Sequence, residues 1–440
     1  MADSYLTRTP SGAGSRVKWT YSVWLKRSKL GHQPIWAATT DSNNYDEFYF
    51  NSTDKIQFST VTSGTQKAIR TTRQFRDTSA WYHIVLVYDT GNSTDTDHAQ
   101  LWINGVRETS FEDTTLLASG ANNVQSNWNN NIEMKIGRVT TNTAAYFEGY
   151  MSHAAFVNDA VVAPTTFGET DSTSGIWKFK SPSGVTWGTN GFHLKFENSG
   201  NLGLDSSGGG NNFTTNGSLK QSLNTPSNVY ATFSNLIVPW ASSTVWSNGN
   251  ISVTNSSGTE GTTMTSIGVK TGKWYCEIKQ GNADDVYIGV GADKFITDNL
   301  LNGYSGATHN ATTGLLVKHS NGTRYVNGSS SSSIFASTGS GDVTGIALDL
   351  DAATRTVTFY KNGVADGAGA QNLPTNMQTG FLFPLGMILD NSILHLNTGD
   401  GFFGTTAITS AGSNGNGSLF EYDVPSNHYA LNTKNLNTYG

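Results

Sequence analysis

The sequence predicts an all-β protein: two antiparallel β-sandwich (jelly-roll-like) domains in tandem. Three observations predict it. Hydrophobic periodicity is close to two almost everywhere along the chain. Only 14% of the 440 residues are charged, against the ~25% usual for globular proteins, while glycine reaches 48 residues and aromatics 11%. Such a chain covers its surface with Ser, Thr, Asn and Gly and builds its core from aromatic rings, a mixture that suits strands and turns. Finally, one device occurs twice. WYHIVLVYDTGNSTDTDHAQLWINGV (81–106) and GDVTGIALDLDAATRTVTFYKNGV (341–364) each read as strand, polar loop, second strand and Asn-Gly-Val.

The elements follow in order. Residues 17–27 alternate cleanly, with Trp19, Tyr21, Val23 and Leu25 on one face and Thr20, Ser22, Trp24 and Lys26 on the other. Short strands are expected at 33–40, 47–50 and 55–60. The run 81–88 is apolar on both faces, as for a central strand of a covered sheet. Residues 100–103 pair back onto it, and Asn104-Gly105 is a hairpin signal. Strands at 132–137 and 146–157 complete the first series. Residues 168–191 are turn-rich, 192–196 is one more strand, and LGLDSSGGGNNFTTNGS (202–218) reads as a loop or linker. A second series runs through 249–254, 272–279, 286–290, 314–319, 343–350, 356–361, 381–389 and 393–396. No helix is expected. Turn signals every ~8–12 residues mean sandwiches rather than parallel sheets. The expected domains are therefore 1–200, a linker at 201–227, a second sandwich at 228–407, and a Gly/Ser/Asn loop with a tail at 408–440.

Composition narrows the partners. The net charge of −6 and the lack of a basic block argue against nucleic acid. One cysteine, Cys276, excludes a disulfide within the chain. MADSYLTRTP has no apolar core of the signal-peptide kind, and no apolar run approaches ~18 residues, so neither secretion by that route nor membrane insertion is expected.

Chemistry is sparse. A glucanase on a sandwich needs two carboxylates sharing a face, roughly 5 Å apart. Asp46 and Glu47 are adjacent and face opposite sides of a strand. Asp349 and Asp351 alternate, on what reads as the solvated side of a hairpin. There is no Gly-x-Ser-x-Gly elbow, no His-x-x-x-His or His-x-His spacing, and Cys276 alternates with Trp274 and Ile278 as a core residue. No enzyme and no cofactor are expected. Calcium is the one metal with oxygen-rich loops to test, at Asp95 with Asp97 and at Asp205 to Asn211. The binding candidates are loops that put an aromatic beside amides: Asn127, Trp128 and Asn129, then Tyr45, then Tyr304. Recognition is thus expected in loops such as 122–131 and 302–313.

Several motifs carry a resemblance. SYLTRTP (4–10), KWTYSVWLKRS (18–28), AWYHIVLVYD (80–89), LWINGV (101–106), IGR (136–138), FEGYMSHAAFV (147–157) and FGETDSTSGIWK (167–178) resemble, in order, the concanavalin A-like, laminin-G-like family. The match departs at Ser152 and His153, where an acidic residue is common, so no role of that acid carries over. GVKTGKWYCEIK (268–279), VYIGVG (286–291), the 341–364 hairpin and FLFPLGMI (381–388) resemble SPRY domains, a protein-recognition family without catalytic residues. The tail YALNTKNLN (429–437) is similar to the end of this domain pair in bacteriophage proteins. The resemblance implies a bacteriophage virion protein of tail-fibre, receptor-binding type. It would be made in the host cytoplasm, exposed on the virion and homo-oligomeric. Its partners would be other virion proteins and a host-surface glycan or receptor. A capsid-decorating or tail structural role is the alternative, and a glycan-degrading enzyme the least favoured.

Overall fold

The computed structural model describes residues 4–139, 145–236, 243–256, 261–282, 286–295, 313–333, 335–388 and 391–440. It divides into two compact units, residues 1–221 and 222–440. Both are antiparallel β-sandwiches, as periodicity two requires.

In the first unit, one sheet has eight strands, ordered Phe111–Asp113, Thr65–Gln74, Lys55–Thr62, Asn44–Phe50, Gln33–Asp41, Met134–Ile136, Tyr5–Arg8 and Thr214–Asn216. The other has six: Phe192–Leu194, Gly149–Asn158, Lys18–Arg27, Tyr82–Asp89, Ala99–Ile103 and Val106–Arg107. The inner faces meet in an aromatic core. Trp19 stacks on Tyr88 at 5.0 Å between ring centroids and meets Trp36 and Phe58 edge-on. Such rings each remove roughly 150–250 Å2 from water, worth about 4–6 kcal/mol before entropy is charged against them. Alternation places them: Trp19, Tyr21, Val23 and Leu25 all fall in this core.

The second face of Lys18–Arg27 and Tyr82–Asp89 is buried too, because the segment from 160 to 190 lies across it. Thr20 Oγ1 donates to the Ala160 carbonyl at 2.9 Å and accepts from the Val162 amide at 3.0 Å. A small hairpin, Gly168–Thr170 with Trp177–Phe179, occupies what reads in the sequence as irregular chain. The stretch 201–227, expected as a linker, is largely built into the first unit. Thr214–Asn216 adds an edge strand to Tyr5–Arg8, and Phe213 is buried against Phe192.

In the second unit, a nine-stranded sheet centred on Lys273–Gln280 and Val343–Asp349 packs on a six-stranded sheet centred on Val286–Ala292 and Leu382–Ile388. Trp274, Cys276 and Ile278 face the core with Ile288, Val290, Ile346 and Leu348. Tyr275 and Glu277 face outward, where the C-terminal residues cover them. The Glu277 carboxylate accepts from the amides of Glu421 and Tyr422, both at 2.9 Å, and from Asn397 Nδ2 at 3.2 Å. Burial pushes that carboxyl up to about 7 against the pull of these donors. Tyr429–Ala430 then pairs in parallel beside Trp274 and Tyr275. The chain ends in a helix, Thr433–Tyr439, capped by the Asn432 side chain, which accepts from the Asn435 amide. This corrects the expectation of no helix; seven residues are too few to show a 3.6-residue period.

Candidate functional site

The Asn-rich loop at 126–131 turns inward, which corrects the choice of Asn127, Trp128 and Asn129 as binding candidates. Trp128 is 0% exposed, 4.1 Å from the Trp36 ring centroid, and meets Tyr21 and Phe156 edge-on. The cause is Asp46, fully buried on the core side of its strand. Its carboxylate accepts from the Trp128 amide at 2.8 Å and from Asn127 Nδ2 at 3.1 Å. Asn127 Nδ2 also reaches the Val61 carbonyl. Asn129 is equally enclosed: its Nδ2 donates to the Ser15 carbonyl and Asn158 Oδ1, and its Oδ1 accepts from Asn190. Asn127, Trp128 and Asn129 therefore close the sandwich and present nothing to a ligand. Tyr304, with most of the 302–313 loop, lies outside the described residues.

Tyr45 is placed differently. It opens the strand Asn44–Phe50, whose Asp46, Phe48 and Phe50 are buried while Tyr45, Glu47 and Tyr49 lie half-buried on the outer face. Register fixes their neighbours. Glu47 stands between Ala37 and Ser59, and the same row continues to Lys135 and Thr7 on one side and Ala68 on the other. Six strands at ~4.8 Å spacing make this row roughly 24 Å long. Apart from Glu47 and Lys135, its side chains are small. The flanking rows each carry one tyrosine: Tyr45 between Thr39 and Val61, and Tyr49 between Pro34 and Gln57, with Arg70 beyond Gln57. With alternate residues ~6.8 Å apart along a strand, the result is a shallow trough whose floor residues Ala37, Ser59 and Ala68 are themselves buried, leaving a half-buried glutamate with a tyrosine on each side to face outward.

The trough's electrostatics follow from partial burial. Glu47 is pushed up to about 7, first by burial and then by Asp46 on the opposite face of its own strand. Tyr49 is pushed up to about 12 by burial and by Glu47, and Tyr45 is raised for the same two reasons. Both phenols are therefore neutral hydroxyls at physiological pH. Arg70 Nε donates to Glu112 at 3.2 Å, and Gln57 Nε2 donates to Ser59 Oγ at 2.9 Å. The His32 ring meets the Tyr49 ring edge-on at 5.1 Å. The trough offers rings, hydroxyls, a guanidinium and one titratable acid.

In the two oxygen-rich loops the acids already have protein partners. Asp205 is saturated: Oδ1 accepts from the amides of His193 and Ser207, and Oδ2 from Ser207 Oγ and the Asn211 amide. Four donors fill the four lone-pair sites of a carboxylate. Asp97 is paired with Arg107, and Asp95 lies 3.8 Å from His98 Nε2. Among the described residues, no group of three or more His, Cys, Asp or Glu side chains could hold a metal ion. Asp349 pairs with Lys273 at 2.6 Å and Asp351 accepts from the Gly272 amide, so both brace a hairpin. Cys276 is buried, and burial raises its thiol well above the ordinary range.

Residues 2–165 match the family model described as the Concanavalin A-like lectin/glucanases superfamily. The first unit thus carries a concanavalin A-like, laminin-G-like domain. No curated protein matches the sequence. Among solved structures, the chain is similar to the SPRY domain of human HERC1, at 19% identity and a TM-score of 0.30, over 37% of this chain and 96% of that one. It is also similar to the TRIM65 PSpry domain, at 18% identity and a TM-score of 0.29, over 38% of this chain and 91% of that one. A human SPRY domain shares 12% identity, with a TM-score of 0.27, over 35% and 94%.

Sequence reasoning reaches Tyr45 but misses its companions. Their signal is the alternation in NYDEFYF itself, which puts Tyr45, Glu47 and Tyr49 on one face. Only strand pairing shows that their neighbours are small.

Proposed function

We propose that the protein is a recognition protein that binds a glycan without turning it over, through the trough of Tyr45, Glu47 and Tyr49. The observation that carries this reading is a tyrosine on each side of a half-buried glutamate, over small side chains on one sheet face. A sugar ring seated there stacks on a tyrosine while Glu47 and Arg70 meet its hydroxyls. A lone glutamate with no second carboxylate in register supports binding over hydrolysis. The family model matched by the first unit, whose description includes lectins, is consistent with this use.

The setting proposed is the exposed surface of a bacteriophage virion, as a homo-oligomeric adhesin that recognises host-surface glycan. It rests on the resemblance of the domain order and tail to bacteriophage proteins. Repetition on an oligomer would raise avidity from weak single sites.

The test is binding of host envelope polysaccharide to the full chain and to Tyr45→Ala/Tyr49→Ala, by calorimetry. The variant should bind at least about tenfold more weakly, roughly 1.4 kcal/mol. Equal binding by the folded variant removes the trough from the reading. Release of reducing ends would show an enzyme. Immunogold label on the capsid rather than the tail would favour the decorating role.

A further inference from the structure

Three histidines lie in one layer between the six-stranded sheet of the first unit and the segment from 160 to 190. Each is stacked on an aromatic ring of that segment. His83 lies between Trp24, at 4.6 Å, and Trp177, at 5.9 Å; His153 lies on Phe179 at 3.8 Å; His193 lies on Trp187 at 5.5 Å. The overlying segment is one layer thick. Trp177, Phe179, Val185 and Trp187 point inward, and the residues alternating with them face solvent.

The hydrogen bonds leave no room for a second proton on His83, and none for full protonation of both His153 and His193. Trp177 Nε1 can only donate, and it meets His83 Nδ1 at 3.0 Å, so Nδ1 is a bare acceptor. His83 Nε2 then carries the ring's hydrogen and donates to Ser22 Oγ at 2.8 Å. His153 Nδ1 and His193 Nε2 are 3.2 Å apart and share one hydrogen between them. An imidazolium at His83 would turn an N–H against the indole N–H. One added proton on the pair can sit on the donor ring's other nitrogen, but once both rings are imidazolium two N–H groups stand face to face. His153 is also held at a positive φ of 48°, where the register of Gly149–Asn158 against Lys18–Arg27 shifts.

We infer that the 160–190 segment is an acid-released strap. Protonation of His83 and of the His153–His193 pair breaks the contacts that seat Trp177, Phe179 and Trp187, and the strap lifts from a sheet that itself stays folded. Lifting uncovers Trp24, Ala155 and Val157, an aromatic and apolar face hidden at neutral pH.

The surrounding charges do not reverse this. Lys195 opposes charge on both members of the pair, while Asp205 and Glu197 favour it on His193. Asp205, however, already spends its oxygens on the amides of His193, Ser207 and Asn211 and on the Ser207 hydroxyl. On the strap, Lys178 pairs with Glu169 and Asp171 at the exposed side of the hairpin. Burial, the largest cause in each case, lowers His83 and His153 to about 3 and His193 to about 4. A histidine depressed in the closed form and ordinary when free favours closure fully above about pH 6.5. That preference is lost as pH falls from there to about 4 for His193 and about 3 for His83 and His153.

Hydrogen exchange of the full chain, corrected for intrinsic rates, tests this. Peptides from 160–190 should exchange at least about tenfold faster at about pH 4.5 than at about pH 7.5, while 18–27 and 82–89 stay protected. His83→Gln/His193→Gln, whose amides keep one donor and one acceptor without titrating, should abolish most of that ratio. If this variant does not fold, Trp177→Phe, which keeps a ring but no donor, should reduce it. Equal exchange at both pH values overturns the strap, as does simultaneous loss of protection in the two sheet strands. A ratio unchanged in a folded variant overturns it too.

Discussion

At the scale of the residue, Asp46 decides how the first unit closes. A carboxylate inside an aromatic core is tolerated only when donors meet it, and here those donors are the Trp128 amide and the Asn127 side chain. Burial still raises its carboxyl above the ordinary value. Its work is to draw a polar loop inward so that an indole fills the space between Trp36, Tyr21 and Phe156. Trp128→Ala should cost about 3–5 kcal/mol, the usual range for emptying an aromatic site, while leaving glycan binding by the folded fraction unchanged. Chemical denaturation beside calorimetry checks both halves. A weaker ligand with unaltered stability would return Trp128 to the binding surface.

At the scale of the element, the two Asn-Gly hairpins share more than a turn type. Asn104 and Gly105 have φ of 50° and 77°, and Asn362 and Gly363 have 49° and 80°. Two left-handed residues in succession give the type I′ geometry that matches strand twist. Each glycine is also a seat. A Cβ on Gly105 would lie 2.5 Å from the Trp177 ring, and one on Gly363 would lie 2.6 Å from the Tyr422 ring. In both units a covering segment lays an aromatic flat on a hairpin turn. Gly105→Ala therefore adds a steric clash to a strained backbone. It should loosen the strap before it unfolds the sheet, seen as faster exchange in 160–190 at neutral pH with 82–89 still protected.

At the scale of the whole molecule, each unit has its own core and its own pair of sheets. The first extends to residue 221. A fragment of residues 1–221 should fold alone, with a single cooperative melt and the glycan affinity of the full chain. A fragment of residues 1–200 exposes the edge at Tyr5–Arg8 and the site of Phe213. It should melt several degrees lower, about 2–4 °C for each kcal/mol lost at this size. Equal melting of the two fragments would restore 201–221 to the status of a linker.

Much of this was legible in order along the chain. Alternation in KWTYSVWLKR assigns four residues to the core and four to the opposite face, and both hairpins announce themselves by Asn-Gly. The double-sided apolar run 81–88 even requires a cover, although nothing local says that 160–190 supplies it. The limits appear where a residue's surroundings come from elsewhere in the sequence. Asn127 to Asn131 look like an exposed loop because polarity is a local property, whereas the carboxylate that turns them inward is about 80 residues away. The same holds for Glu277, which captures amides 144 and 145 residues on, and for His153 and His193, 40 apart. The sequence by itself determined the period, the turns and so the sandwich class, because these depend on neighbours two to four residues apart. Only the tertiary structure decided which outward face is bare, which is covered and which polar groups are consumed, because long-range pairing alone brings a buried charge to its donors.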